Sequence, residues 1–179
     1  MSDENGGGRD ERGEHIKKLA EMIGGIDFAM LTTAQEDGTL RSRPMSTQRG
    51  EFDGDLWFFT RASAPKVGEV EREQQVNVSY AEPGDQRYVS VSGRATVVRD
   101  RAKIEELWSP ELKAWFPEGL DDPDIALLRV AVERAEYWDS PSSAVARAVG
   151  FAKALATGQT YEPGENEKID LKRTAGTRG

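Results

Sequence analysis

The stretch from Leu56 to Glu73 carries the residues of this sequence that are best suited to chemistry. It opens as an apolar strand, passes through a polar turn and continues into a helix whose first turn holds Pro65 and Lys66. A helix start of this kind presents free N–H groups and a partial positive charge, which attract an anion. Thr60 and Ser63 add two hydroxyls, and Lys66 adds a full charge. The stretch is typical either of an anion-binding corner or of an ordinary strand-to-helix turn with Ser63 as N-cap.

A second group of candidate residues lies on the strand predicted from Thr39 to Gln48. Strand alternation puts Arg41, Arg43 and Met45 on one face and Pro44 on the other. Because proline cannot donate to a ladder, this strand is an edge or is locally split from its neighbour. A gap beside two arginines can hold a flat, anionic ligand, or the arginines keep an edge strand soluble.

Composition excludes several classes of function. The chain of 179 residues has 24 Lys+Arg against 32 Asp+Glu, a net charge of −8, which argues against binding to nucleic acid or to anionic membranes. There is no cysteine, and His15 is the only histidine, so we expect no metal site and no Ser-His-Asp triad. The cluster Asp121, Asp122 and Asp124 lacks the spacing of a calcium loop and is typical of a turn. No apolar run spans a bilayer and no signal peptide is visible, so we expect a cytoplasmic protein.

The elements that position these residues follow from hydrophobic periodicity. Residues 1–13 have nothing to bury and are expected to be a disordered tail. A helix is predicted from Glu14, and Asp37-Gly38 between two apolar runs predicts a hairpin. The strand from Arg87 to Arg99 is long, with Gly93 marking a bulge or bend.

The second half of the chain predicts a short helix, a long strand and a final helix. Ile125 to Trp138 alternates as a strand, and Ser142 or Ser143 caps a helix that runs to about Ala156. A short edge strand is expected around Ile169, and residues 172–179 are expected to be disordered. The chain is therefore predicted to be one α+β domain over residues 14–171, built on an antiparallel β-barrel.

Several segments together resemble a known family. They are Ser42-Arg43-Pro44-Met45, Leu56 to Thr60, the helix at Lys66, Val89 to Ala95, Glu106-Leu107-Trp108, Lys113 to Asp124, and Ala135 to Asp139. In order and spacing this set resembles the general stress protein branch of the pyridoxamine 5′-phosphate oxidase-like, FMN-binding split barrels.

The resemblance implies a six-stranded split barrel that forms a homodimer, with FMN bound at two sites in the interface. It implies that Arg43 reaches the FMN phosphate, that Thr60 and Lys66 complete the phosphate site, and that backbone around Pro44 and Met45 faces the flavin ring. The family pattern often has serine two residues before the lysine, where this sequence has alanine. Either Ser63 takes over that role through a shifted turn, or one phosphate hydrogen bond is missing.

Two tryptophans are candidates for contact with the cofactor, and Trp138 falls where the family has an aromatic residue. The resemblance implies that Trp138 lies close to the flavin, reaching the site of the partner subunit, and that Trp115 lines the same cleft. Both are equally typical of residues in a dimer core.

The sequence leaves open whether the protein is an enzyme. One hypothesis is an FMN-dependent oxidoreductase whose substrate the sequence does not name, and a second is a non-catalytic flavin carrier or sensor. A third hypothesis is another cofactor: the phosphate of a deazaflavin would suit Arg43 and Lys66 equally well, whereas heme is the weakest candidate because the chain has one imidazole. A fourth hypothesis is a split-barrel dimer that has lost its ligand. Pyridoxamine phosphate oxidation itself is not expected, because the C-terminal part has no histidine.

Overall fold

A computed structural model describes residues 7–48, 50–140, 144–161 and 164–172 of the chain. The described part contains four α-helices, seven strands and two short 3-10 turns. In chain order they are α1 Gly7–Ile23, β1 Phe28–Ala34, β2 Leu40–Ser46, β3 Asp55–Arg61, α2 Pro65–Arg72, β4 Gln75–Glu82, β5 Arg87–Val98, α3 Arg101–Leu107, the 3-10 turns Pro110–Ala114 and Gly119–Asp121, β6 Ile125–Asp139, α4 Ala144–Thr157 and β7 Glu165–Asp170.

One curled antiparallel sheet forms the body of the protein. Six strands follow the order β2-β1-β4-β5-β6-β3, and β7 pairs with β6 beside that path. The end strands β2 and β3 come close to each other without pairing, so the barrel is split between them. The predicted α+β six-stranded split barrel is therefore confirmed. The edge strand expected around Ile169 is the seventh strand, β7.

Strand alternation separates an inner face from an outer face. The inner face and the underside of α1 form the main core, whose fully buried members include Leu19, Leu31, Phe58, Val78, Val91, Leu128, Val130 and Tyr137. A smaller cluster around Phe59, Phe116 and Leu127 packs on the other side of β3 and β6. The two clusters hold β3 rigidly from both faces.

Gly93 allows β5 and β6 to bend together. The register between these strands shifts between Ser92 and Gly93, which is the predicted bulge. A Cβ atom at Gly93 would lie 2.3 Å from the carbonyl oxygen of Ala131, so no side chain fits there.

The N-terminal helix is longer than predicted. We expected residues 1–13 to be a disordered tail, but α1 begins at Gly7, and residues 1–6 lie outside the described residues. Arg12 donates from Nη1 to the carbonyl oxygen of Leu171 at 2.6 Å, and this long-range contact holds the first turns of α1 against the C-terminal strand. The expected caps Ser142 and Ser143 and the tail residues 173–179 lie outside the described residues. Within the described part of the chain, no helix is both long enough and apolar enough to cross a membrane.

Candidate functional site

Strand β2 presents its arginines at one side of the split. It pairs only with β1, where Pro44 lies opposite Met30, so the prediction of an edge strand is confirmed. Pro44 is exposed on the outer face, whereas Met45 is buried in the core. Arg43 lies on the same face as Met45 and is half-buried at the inner side of the split.

Arg43 is held by a buried carboxylate from α2. Its Nη2 donates to Oε2 of Glu69 at 2.7 Å, and both side chains are largely withdrawn from solvent. Thr33 of β1 donates its hydroxyl to the same oxygen at 2.6 Å. The three residues join two strands and a helix at one point.

The second terminal nitrogen of Arg43 is buried and has no hydrogen-bond partner among the residues that the structure describes. Lys66 lies one turn before Glu69 on α2, is half-buried, and forms no hydrogen bond or ion pair with any residue that the structure describes. Arg41, exposed on β2, also acts electrostatically on Glu69. We call Arg41, Arg43, Lys66 and Glu69 the basic corner, because three cations there share one carboxylate.

Protonation equilibria reflect this excess of positive charge. Burial lowers the pKa of Lys66, and the nearby charge of Arg43 lowers it further. Burial opposes the charge on Glu69, but hydrogen bonds from Thr33 and Arg43 outweigh burial and hold the pKa of this carboxyl below its ordinary value. A bound anion would relieve the repulsion between Arg43 and Lys66.

Thr60 and Ser63 belong to the turn that leads into α2. Thr60 is buried at the end of β3, and its hydroxyl has only a long contact of 3.3 Å to the carbonyl oxygen of Arg61. Ser63 donates its N–H at 2.9 Å and its hydroxyl to the carboxylate of Asp124. Ser63 therefore has no free donor in this conformation. The interpretation of Ser63 as N-cap is wrong, because Ala64 occupies that position without a side-chain cap.

The aspartates of the second half of the chain anchor this turn. Arg61 donates to buried Asp122 at 3.0 Å and to the carbonyl oxygen of Trp115 at 3.0 Å, while Asp124 holds Ser63. The backbone N–H of Asp124 donates to Asp122 at 2.9 Å. This agrees with the interpretation of the aspartate cluster as a turn, and it explains how a distant segment fixes the start of α2.

The two tryptophans are not brought to the basic corner within one chain. Trp115 is 55% exposed after the first 3-10 turn, and Trp138 is 41% exposed on the outer face of β6. Trp138 pairs across the sheet with Tyr88 of β5, on the face opposite to Arg43.

Sequence reasoning missed Glu69 and Thr33. Glu69 follows Lys66 by three residues, so the two share a helix face, and this spacing was an available signal. Thr33 carries no such signal, because only the pairing of β1 with β2 and the packing of α2 bring it to Glu69.

The corner fits a phosphate group. A buried guanidinium nitrogen without a partner and an unpaired ammonium are the donors that a dianionic ligand needs, and arginine is well suited to phosphate. The fold and this corner together define a split-barrel protein with a cluster of cations at the barrel edge.

The chain belongs to the family described as pyridoxamine 5′-phosphate oxidase like, whose model matches residues 14–162. Protein bli-3 of Neurospora crassa is 30% identical over 156 residues, which cover 82% of this chain and 75% of that protein.

Two solved structures share the fold. A structure assigned to general stress protein 26 of Jannaschia sp. CCS1 has a TM-score of 0.70 at 25% identity, covering 89% of this chain and 99% of that one. The general stress FMN/FAD binding protein of Xanthomonas citri has a TM-score of 0.64 at 29% identity, and the match covers 73% of this chain and 92% of that one.

Proposed function

We propose that the protein binds FMN, with the phosphate at the basic corner. The observation that carries this proposal is the buried Nη1 of Arg43, which has no hydrogen-bond partner among the described residues. The charge of Arg43 also repels the ammonium of Lys66, which is itself unpaired there. An acidic protein can bind a phosphate of about −1.5 to −2 charge only where cations are concentrated. The relative from Xanthomonas citri, described as binding FMN/FAD, supports a flavin as the ligand.

Each residue of the corner has a distinct role in this proposal. Nη1 of Arg43 and the ammonium of Lys66 donate to the phosphate, and the hydroxyl of Thr60 is a further donor. Ser63 acts indirectly, because its bonds to Asp124 fix the turn that carries Lys66. Backbone at Pro44 and Met45 lines the ring. A bound flavin would supply hydride or single-electron transfer, while these side chains bind and orient it.

We also propose a homodimer with the ligand between subunits. Large apolar side chains are exposed on the outer sheet face, namely Phe28, Met30, Leu40, Tyr88 and Trp138. Exposed apolar surface of this extent is typical of an interaction site. Pro44 lies on the same face, opposite Met30. A partner subunit packed on this face would therefore bring its own side chains close to the backbone that lines the flavin ring. Trp138 is our candidate for that contribution, and Trp115 is a second.

We propose that the protein uses the flavin for redox turnover, as an oxidoreductase whose substrate is not identified. The alternative is a flavin carrier or sensor without turnover. Stopped-flow reduction by NADH or NADPH, followed by reoxidation with a defined acceptor, separates the two.

The first experiment is the visible spectrum of the purified protein before and after FMN is added and the mixture desalted. Flavin bands that remain with the protein support the proposal. A colourless protein that neither retains FMN nor quenches its fluorescence overturns it. A deazaflavin with a phosphate is titrated in parallel, because the basic corner would hold that phosphate equally well, and tighter binding of the deazaflavin overturns FMN as the ligand.

A further inference from the structure

Glu69 is the only carboxylate in the basic corner, and it is charged in a place where an anionic ligand is proposed. Its side chain is only 10% exposed. The carboxylate would repel a phosphate, yet it pairs with Arg43 and attracts Lys66, the two cations that would bind one. Its presence needs a reason beyond charge neutralisation.

The hydrogen bonds show what Glu69 does to Arg43. The carboxylate accepts from Nη2 and leaves Nη1 of the same guanidinium buried and unpaired. A purely structural ion pair would favour the two-pronged arrangement, because a buried N–H without a partner destabilises the fold by about 1–3 kcal/mol. Glu69 instead uses a single oxygen, Oε2, for both Arg43 and Thr33. Arg43 is therefore fixed by one nitrogen and has the other available.

The place of Glu69 in α2 links the two phosphate donors. Glu69 and Lys66 are three residues apart on one helix, so holding Glu69 against β1 and β2 also fixes Lys66 relative to Arg43. Thr33 keeps the carboxylate from rotating, because its hydroxyl bond adds a second anchor on a different strand.

We infer that Glu69 is a positioning residue for the phosphate. Together with Thr33 it fixes Arg43 so that Nη1 serves the ligand, and it thereby sets the preference for a phosphorylated flavin over an unphosphorylated one. This inference rests on the proposed FMN function and extends it to the specificity of the site.

The test compares FMN with riboflavin, which has the same ring and no phosphate. Dissociation constants for both are measured by flavin fluorescence on wild type, Glu69→Ala, Glu69→Gln and Thr33→Val. Glu69→Ala should weaken FMN binding about tenfold, the loss expected for one charge-assisted hydrogen bond, and should leave riboflavin unchanged. Glu69→Gln keeps an acceptor of the same shape and should restore FMN binding to within about threefold of wild type.

Thr33→Val removes one anchor and keeps the shape of the side chain. It should lower the ratio of FMN to riboflavin affinity about threefold, the effect expected for one neutral hydrogen bond. If circular dichroism shows that Glu69→Ala does not fold, Thr33→Val alone decides the test.

Other outcomes overturn the inference in separable ways. Equal losses for FMN and riboflavin would mean that Glu69 only supports the fold, and tighter FMN binding in Glu69→Ala would mean that it competes with the phosphate. Unchanged ratios in every variant, with wild type binding FMN, overturn the inference alone. A wild type that binds neither flavin overturns the proposed function, and the inference with it.

Discussion

Lys66 is the residue whose replacement separates ligand binding from stability. Burial and the charge of Arg43 both disfavour its ammonium in the free protein and together outweigh the attraction of Glu69, so Lys66→Ala removes no net stabilising interaction. We expect FMN binding to weaken at least about tenfold, and the free energy of unfolding to change by less than about 0.5 kcal/mol. Fluorescence titration and urea denaturation measure the two quantities.

Lys168→Ala is the matched control for Lys66, because it removes the same charge from an exposed position on β7. It should leave FMN binding unchanged. An affinity that is equal in wild type and Lys66→Ala would remove this lysine from the site.

Glu69 makes part of the stability of the protein dependent on pH. Its folded pKa lies below the ordinary 4.5, so its charge stabilises the fold above pH 4.5, and this contribution is lost as pH falls through the folded pKa. At pH 7 we expect Glu69→Gln to be less stable than wild type by about 1–3 kcal/mol, the range for a hydrogen bond to a charged group. The difference should shrink as the pH is lowered from 5 to 3.

Thermal unfolding of both proteins across that pH range checks this prediction. Other carboxylates with lowered pKa values, such as Asp124, are present in both proteins and cancel in the difference. A stability difference that stays constant from pH 7 to pH 3 would contradict the assignment.

The cations of the site could be predicted from the sequence, but their arrangement could not. Arg43 and Lys66 could be chosen because an edge proline and a helix-start proline mark the positions next to them. Which acid pairs with which cation depends on how α2 packs on β1 and β2, and local spacing does not contain that information. Ser63 shows the same limit, because its partner Asp124 is 61 residues away.

At the scale of elements, Gly93 decides whether β5 and β6 can pair along their full length. In Gly93→Ala the new Cβ would lie 2.3 Å from a backbone oxygen, which cannot move without opening the sheet. We expect a loss of more than about 3 kcal/mol in the free energy of unfolding, or a failure to fold. Chemical denaturation monitored by circular dichroism measures it.

Gly68→Ala tests the same substitution where space is open. No atom lies within 4 Å of the position a Cβ would occupy, and the residue is in the interior of α2. Here the change should stabilise the protein by about 0.5–1 kcal/mol, because alanine has the higher helix propensity. Equal effects of the two substitutions would contradict the argument from the bulge.

Elements with a local signal were predicted, and elements without one were not. The Asp37-Gly38 hairpin, the bulge at Gly93 and the long strand β6 follow from turn chemistry and alternation. The start of α1 at Gly7 did not follow, because glycines favour no helix and the contact from Arg12 to Leu171 joins the two ends of the chain.

At the scale of the whole molecule, the register of the sheet assembles an apolar surface from distant segments. Tyr88 of β5 pairs with Trp138 of β6, and Phe28 at the start of β1 is exposed on the same outer face of the sheet. No stretch of the sequence contains this surface, since its members are spread over three strands. Only the strand order brings them together.

We therefore expect a charge on this outer face to break the proposed homodimer. Phe28 is 57% exposed, so Phe28→Glu should leave the fold intact while burying an unpaired carboxylate in the interface, and light scattering should give the monomer mass. Leu155→Glu on α4 is the control, because it replaces an exposed apolar residue outside the sheet, and this variant should remain dimeric. FMN binding should weaken in Phe28→Glu alone, since a ligand held between subunits loses the contacts that the partner subunit supplies. A Phe28→Glu protein that keeps the dimer mass at micromolar concentration would mean that this face is not the interface, and unaltered FMN affinity in a monomer would mean that one chain forms the whole site.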